Sequence, residues 1–170
     1  MAKAGKGMWV KLNTDGAANT DLGCEGGGGI LRDCEGNWVG GFARFLGNCS
    51  SLLAELWALK DGLSLAKNLA FVSICIEVNA EMIVLLLNCT IIVNLIMKPL
   101  LSNYRNLLQA FTNPKVKHVY HEADQCADAP TNLGLNLNVL FKTFDYPPSV
   151  VVNLLAFDKT ELYCMHMACC

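Results

Sequence analysis

The sequence predicts an α/β domain, one mixed sheet with helices packed on it. Three observations carry that prediction. Segments that alternate bulky and polar residues come first, with turn residues between them. A long stretch of helical period comes next, and after it strands and helices alternate. The resulting order is strand, strand, strand, helix, strand, helix, helix, strand, helix, which calls for antiparallel and parallel pairing in the same sheet. Hydrophobic residues make up 53% and charged residues 16% of the 170-residue chain, enough to fill a core and far from the signature of disorder.

Residues 1–8 (MAKAGKGM) are small and basic and read as a loose leader. Trp9 to Gly16 (WVKLNTDG) alternates in period two and stops at Asp-Gly, a strand closing in a turn with Asp15 at its C-terminal end. Gly26 to Arg32 and Asn37 to Phe45 flank the turn cluster Asp33-Cys34-Glu35-Gly36, so the chain opens as a three-stranded meander. From Ser50 to Asn68 the period changes: Leu52, Leu56, Leu59, Leu63 and Ala66 recur every three or four residues, with Ser50 or Ser51 able to cap the helix. Phe71 to Val78 is β-branched and aromatic, a fourth strand feeding a helical stretch from Ala80 to about Asn88. Pro99 to Phe111 opens with proline where a helix tolerates it, Lys115 to Tyr120 alternates as a short strand, and Asp124 to Leu133 reads as a last helix. Beyond Gly134 come a β-like patch at Val139 to Phe144, then Tyr146-Pro147-Pro148, then the apolar SVVVNLLAF.

The formal net charge of −2 lacks the basic excess of proteins that hold nucleic acid mainly by neutralising phosphates, so any such contact must be local. Nine cysteines, an odd number without framework spacing, fit a reduced, intracellular setting, nucleus and cytoplasm both open. The longest apolar run, Met82 to Met97, is interrupted by Asn88, Thr90 and Asn94 and is shorter than a membrane span. It reads as core, and no membrane partner is expected.

Two carboxylates fall where a sheet protein places a site. Asp15 ends a strand, and Glu55 shares a helix side with Ala58, Leu59, Gly62 and Ala66, where a buried charge needs a cation or a donor. Each has a plainer reading: Asp15 as the turn residue before Gly16, Glu55 as a favourable acid near a helix N-terminus. His118 to Asp128 packs two histidines and three acids into a short segment, without the paired C-x-x-C of a zinc site. There the alternative is capping, with Asp124 starting the last helix and Asp128 starting a shorter one at Ala129-Pro130. Gly26 to Gly29 lacks the Gly-Lys-Ser/Thr of a phosphate loop and reads as a strand that lets nucleic-acid backbone or a neighbouring strand approach. Cys164, His166, Cys169 and Cys170 read as a frayed tail rather than a metal site.

Taken in order, TDGA (14–17), GGGILRD (27–33), AELWALKDGL (54–63), IEVNAEMIV (76–84) and HVYHEADQCAD (118–128) resemble the type 1 ribonuclease H family. The likeness is strongest to its plant reverse-transcriptase-like group, related to the nuclease domain of non-LTR retrotransposons. It covers about Trp9 to Gly134, dividing the chain into the leader, a ribonuclease H-like domain over 9–134 and a C-terminal extension over 135–170. The resemblance implies a five-stranded sheet in order 3-2-1-4-5 with helices on both faces. It also implies hydrolysis of the RNA strand of an RNA–DNA hybrid by two Mg²⁺ ions, Mn²⁺ being possible, held about 3.5–4 Å apart by four carboxylates.

Carried over by position, the metal ligands are Asp15, Glu55, Asn79 and Asp128, with His118 assisting proton transfer and product release. Gly16, Gly26 and His121 fall where nucleic acid is contacted. The chain departs from the family's E-x-D-S at Glu77-Val78-Asn79-Ala80: an amide oxygen can coordinate but brings no charge, which implies weak or absent cleavage. Glu77 is about 6.6–6.8 Å along the strand from Asn79, too far to replace the missing carboxylate, and Glu81 is a poor substitute. His121 stands where the plant pattern has Arg, and Pro130 falls inside the last helix at a cost of about 3 kcal/mol, or delays that helix and shifts Asp128. Three functions are compatible with these residues: an impaired hybrid nuclease, a cleavage-deficient domain that grips hybrid or duplex RNA, and a retroelement relic whose fold persists without activity.

Overall fold

A computed structural model describes residues 9–19, 23–79, 81–88, 95, 97–119, 125–136 and 139–162. Strands β1 (Trp9–Asn19), β2 (Cys24–Arg32) and β3 (Trp38–Gly47) open the chain, followed by helix α1 (Ser51–Asn68), strand β4 (Ser73–Val78), helices α2 (Glu81–Asn88) and α3 (Met97–Leu108), strand β5 (Asn113–His118), helix α4 (Gln125–Leu135), strand β6 (Phe141–Phe144) and helix α5 (Ser149–Leu162). The sheet runs β5-β4-β1-β2-β3-β6. It contains the 3-2-1-4-5 order intact and adds a sixth strand, because Phe141–Phe144 pairs antiparallel with β3. The Phe141 ring lies 6.2 Å from that of Phe42, centroid to centroid, so the added strand gains an aromatic contact along with its ladder.

The β2–β3 turn forms because Asp33 Oδ1 accepts hydrogen bonds from the backbone N–H groups of Glu35 and Asn37, at 2.9 and 2.8 Å, with Gly36 at φ 77°. Contrary to the sequence expectation, β1 does not close at Asp15-Gly16. Its antiparallel ladder with β2 continues to Asn19↔Cys24, whereas its parallel ladder with β4 stops at Thr14↔Val78. Asp15 therefore sits at the end of one ladder and inside the other.

On one face of the sheet Val10, Leu12, Leu31, Phe42, Ile74, Ile76 and Val78 pack against Leu56, Leu59 and Leu63 of α1 and Leu100, Leu101 and Tyr104 of α3, all buried. Ser50 caps α1, its side chain accepting from Leu53 N at 3.3 Å. The other face carries α4 and a smaller cluster in which Ile30 meets Val151 and Leu155 of α5, with Trp38 and Ala129 beside them. The guanidinium of Arg44 on β3 binds both carboxylate oxygens of Asp61 on α1 and lies 5.0 Å from the Trp57 ring centroid and 4.7 Å from that of Phe141. Burial pushes the Asp61 carboxyl up, and Arg44 opposes it.

Three further expectations shift. The Met82–Met97 run is only partly core: Ile83 and Leu86 are buried while Met82 and Leu85 are exposed, since a helix at period 3.6 turns one side to the sheet, and Leu95, outside the helix, is exposed too. Residues 89–94 and 96 of that run, the 1–8 leader, His121, Asp124 and the terminal cysteine segment lie outside the described residues. β5 starts two residues earlier than predicted, in register with β4 from Ser73↔Asn113, and its Pro114 is tolerated on an edge strand. α4 begins at Gln125, with Asp128 in its first turn and Pro130 inside it, so Asp128 does not cap a later helix. Cys24, Cys34, Cys49 and Cys75 are outside any disulfide. Among the described residues no helix is long and apolar enough to cross a membrane.

Candidate active site at the end of the β1–β4 ladder

Asp15 and Asn79 are the first residues beyond the last β1–β4 pair, Thr14↔Val78. Their side chains meet there, Asn79 Nδ2 donating to Asp15 Oδ1 at 2.7 Å. Asp15 is only 5% exposed. A carboxylate accepts and cannot donate, so the amide nitrogen, not its oxygen, faces Asp15. His118 ends β5 opposite Val78, and its Nε2–H donates to Asn79 O at 3.0 Å, since a carbonyl can only accept. Asp15, Asn79 and His118 are thus joined through Asn79.

Glu55 arrives from the sheet's other side. A Cβ at Gly16 would sit 2.9 Å from Glu55 N and 3.1 Å from Ala54 Cβ, so glycine at 16 lets the first turns of α1 touch the backbone beside Asp15. Glu55 is 8% exposed, on the buried side with Ala58, Leu59, Gly62 and Ala66. Asp128 arrives on α4, which lies directly on β2: a Cβ at Gly28, the residue opposite Asp15, would be 2.5 Å from Thr131 N and 2.7 Å from Pro130 C. The Thr131 hydroxyl, one turn beyond Asp128, is 2.8 Å from Ala127 O and 3.1 Å from Asp15 O, tying α4 to β1 at the site. The helices fill the space over Gly26, Gly27 and Gly28, with Gly26 buried under Leu135, while Gly29 lies against Asn13 O and the Phe42 ring.

Glu77 does not reach the missing position. Its Oε1 pairs with Lys11 Nζ at 3.0 Å and its Oε2 accepts from Asn13 Nδ2 at 2.9 Å, while Asn13 Oδ1 accepts from Arg32 Nη2 at 2.7 Å. Glu81 is exposed at the start of α2. Sequence reasoning missed Asn13, Arg32 and Thr131. The available signal was spacing, because Lys11, Asn13 and Asp15 share one side of β1 at period two.

Asp15, Glu55 and Asp128 offer the oxygen donors that a hard cation such as Mg²⁺ prefers. The arrangement does not match that chemistry as far as the donor types do. One Asp15 oxygen is occupied by the Asn79 amide, and among the described residues no three His, Cys, Asp or Glu side chains gather closely enough to hold a metal ion.

Comparison with known proteins places this geometry. Residues 13–134 match the family described as reverse transcriptase-like. A protein of Arabidopsis thaliana named provisionally as a ribonuclease H protein is 37% identical over 150 residues, covering 88% of this chain and 24% of that protein. The chain therefore spans about a quarter of that relative's length. Among solved structures, ribonuclease H1 of Halobacterium salinarum matches with TM-score 0.69 at 24% identity, over 75% of this chain and 98% of that one. The N-terminal ribonuclease H domain of a Mycobacterium tuberculosis protein, solved as a fusion, matches with TM-score 0.70 at 17% identity, over 76% and 94%. A ribonuclease H1 solved in complex with an RNA/DNA hybrid matches with TM-score 0.63 at 21% identity, over 75% and 96%. The chain belongs to the reverse transcriptase-like family and has the ribonuclease H fold.

Proposed function

We propose that this chain is a ribonuclease H-type domain that holds RNA–DNA hybrid or duplex RNA and cleaves it weakly or not at all. The observation that carries the reading is the bond from Asn79 Nδ2 to Asp15 Oδ1. A carboxylate at position 79 would face Asp15 as a like charge and require a cation between them. The amide instead satisfies Asp15 directly with the positive end of a dipole. Asp15, Glu55 and Asp128 supply the donor type a divalent metal ion prefers, but with one Asp15 oxygen taken by the Asn79 amide the described side chains do not gather as a metal site. This chain's own residues favour holding over cutting: Asp15 stays occupied, and Asn79 keeps His118 turned to its carbonyl. Gly16, half-buried beside Glu55, and His121 are the nucleic-acid contacts we assign, and Gly26 bears on them through α4.

The test is cleavage of a labelled RNA–DNA hybrid in Mg²⁺ and in Mn²⁺, comparing the natural chain with Asn79→Asp. Binding by both and cutting by the variant alone is the expected result. Cleavage by the natural chain at a rate matching the variant would show that an amide suffices. Failure of either protein to bind hybrid at low salt would remove the reading altogether.

A further inference from the structure

The sheet side that ends at Asp15 and Asn79 continues across β1, β4 and β5 as an ordered grid. Trp9 stands beside Ser73 and Asn113, Lys11 beside Cys75 and Lys115, and Asn13 beside Glu77 and Lys117. Residues in register on neighbouring strands share a side, as do alternate residues along each strand. Two contacts verify the placement: Lys115 Nζ lies 4.8 Å from the Trp9 ring centroid, and Lys11 reaches Glu77. α4 packs over β1, β2 and β3 on this side, while Lys115 and Lys117 on β5 stay exposed. Among the described residues, the part of this side away from Asp15 carries Lys11, Lys115 and Lys117 beside the carboxylate of Glu77, which Lys11 pairs with, in a chain whose net charge is −2.

Charge and spacing select the occupant. Strands about 4.8 Å apart and alternate residues about 6.7 Å apart spread the three cations over a field about 10 Å wide. One small anion cannot bridge them, whereas a polymer of phosphates can meet them in turn. The aromatic ring at the far end favours unpaired bases, which offer a π-face that a duplex hides. Lys115 already lies over Trp9, but a surface cation–π contact is weaker than a stacked base, so a base can take the ring and release the ammonium to phosphate. We propose that this open side, through Trp9, Lys11, Lys115 and Lys117, binds single-stranded nucleic acid that runs off the Asp15–Asn79 end of the sheet. The proposal rests on the nucleic-acid reading of that end.

The experiment is anisotropy titration of a fluorescent 12-nucleotide single-stranded RNA against the full chain over a series of salt concentrations. Lys115→Ala/Lys117→Ala should weaken binding about tenfold at low salt and reduce the slope of log K against log salt by about 1.4, at about 0.7 for each phosphate no longer neutralised. Lys67→Ala/Lys142→Ala, elsewhere on the surface, should leave both unchanged. Unaltered thermal melting of each pair confirms folding, and unchanged affinity and slope in the Lys115/Lys117 pair would overturn the proposal. So would tighter binding of polyglutamate than of RNA of equal charge, which would make the occupant an acidic protein segment. Blunt hybrid tests the other reading separately: loss of hybrid binding with lysine-dependent RNA binding intact would sink the site assignment and keep this one.

Discussion

A single amide joins the two strands at the end of the β1–β4 ladder. Asn79 donates to Asp15 at 2.7 Å, a distance at which two carboxylates must share a proton or a cation. Asn79→Asp should therefore make stability depend on metal. In chelator at pH 7 the variant should lose about 1–3 kcal/mol relative to the natural chain, and millimolar Mg²⁺ should restore it. Repulsion raises the folded-state pKa of the paired carboxyls above their unfolded value, so the folded state binds protons more tightly and the variant should regain stability as pH falls from 7 towards 5. Melting followed with and without Mg²⁺ at both pH values checks this. A metal-insensitive melt would show that the two side chains move apart. The identity of residue 79 was legible in the sequence, because motif order placed it. The direction of its bond was not, nor was the commitment of both Glu77 oxygens to Lys11 and Asn13. In a half-buried strand, polar residues at alternate positions look solvent-facing, yet Asn13 and Arg32 are buried and hydrogen-bonded to each other.

Among the elements, α4 was legible as a helix within two residues of its ends, but where it docks was not, and its docking is what brings Asp128 to the site. The Gly26–Gly29 run announced a close approach, and sequence could not say by what. It is α4 whose backbone occupies the position of a Gly28 side chain, with Thr131 N and Pro130 C inside van der Waals distance. Gly28→Ala should force helix from sheet, costing about 1–3 kcal/mol in a urea melt and weakening hybrid binding as Asp128 moves with the helix. An unchanged melt would mean that α4 is not seated on β2. Pro130 acts in the opposite sense. It sits in the helix interior, where its missing N–H leaves the Cys126 carbonyl without its helical donor. Pro130→Ala should therefore raise stability by about 1–3 kcal/mol, or several degrees in melting temperature. Long periodic elements such as α1 were read from spacing alone, whereas strand ends moved wherever a neighbour's register continued or stopped, as at Asn19 and Asn113.

At the scale of the molecule, a boundary after Gly134 falls one residue before the end of α4, and the extension beyond that helix packs on the sheet. β6 extends β3, Trp38 Nε1 donates to Asp145 O at 3.2 Å, and Val151 and Leu155 of α5 close over Ile30. Composition alone concealed this, because an apolar segment after a Pro-Pro turn suits a partner's surface as well as its own domain's. Burying an aliphatic side chain is worth about 1.5–3 kcal/mol, so losing Val151 and Leu155 together should remove about 3–6 kcal/mol before the β3 ladder is counted. A chain ending at residue 136 is therefore expected to unfold at distinctly lower urea than the full chain. It should also self-associate, since β3 then presents an uncovered edge with Phe42 and Arg44 stripped of Phe141. Urea melts with light scattering test both effects. Equal midpoints and a monodisperse truncated chain would show that the extension is an appendage on a domain already complete at α4.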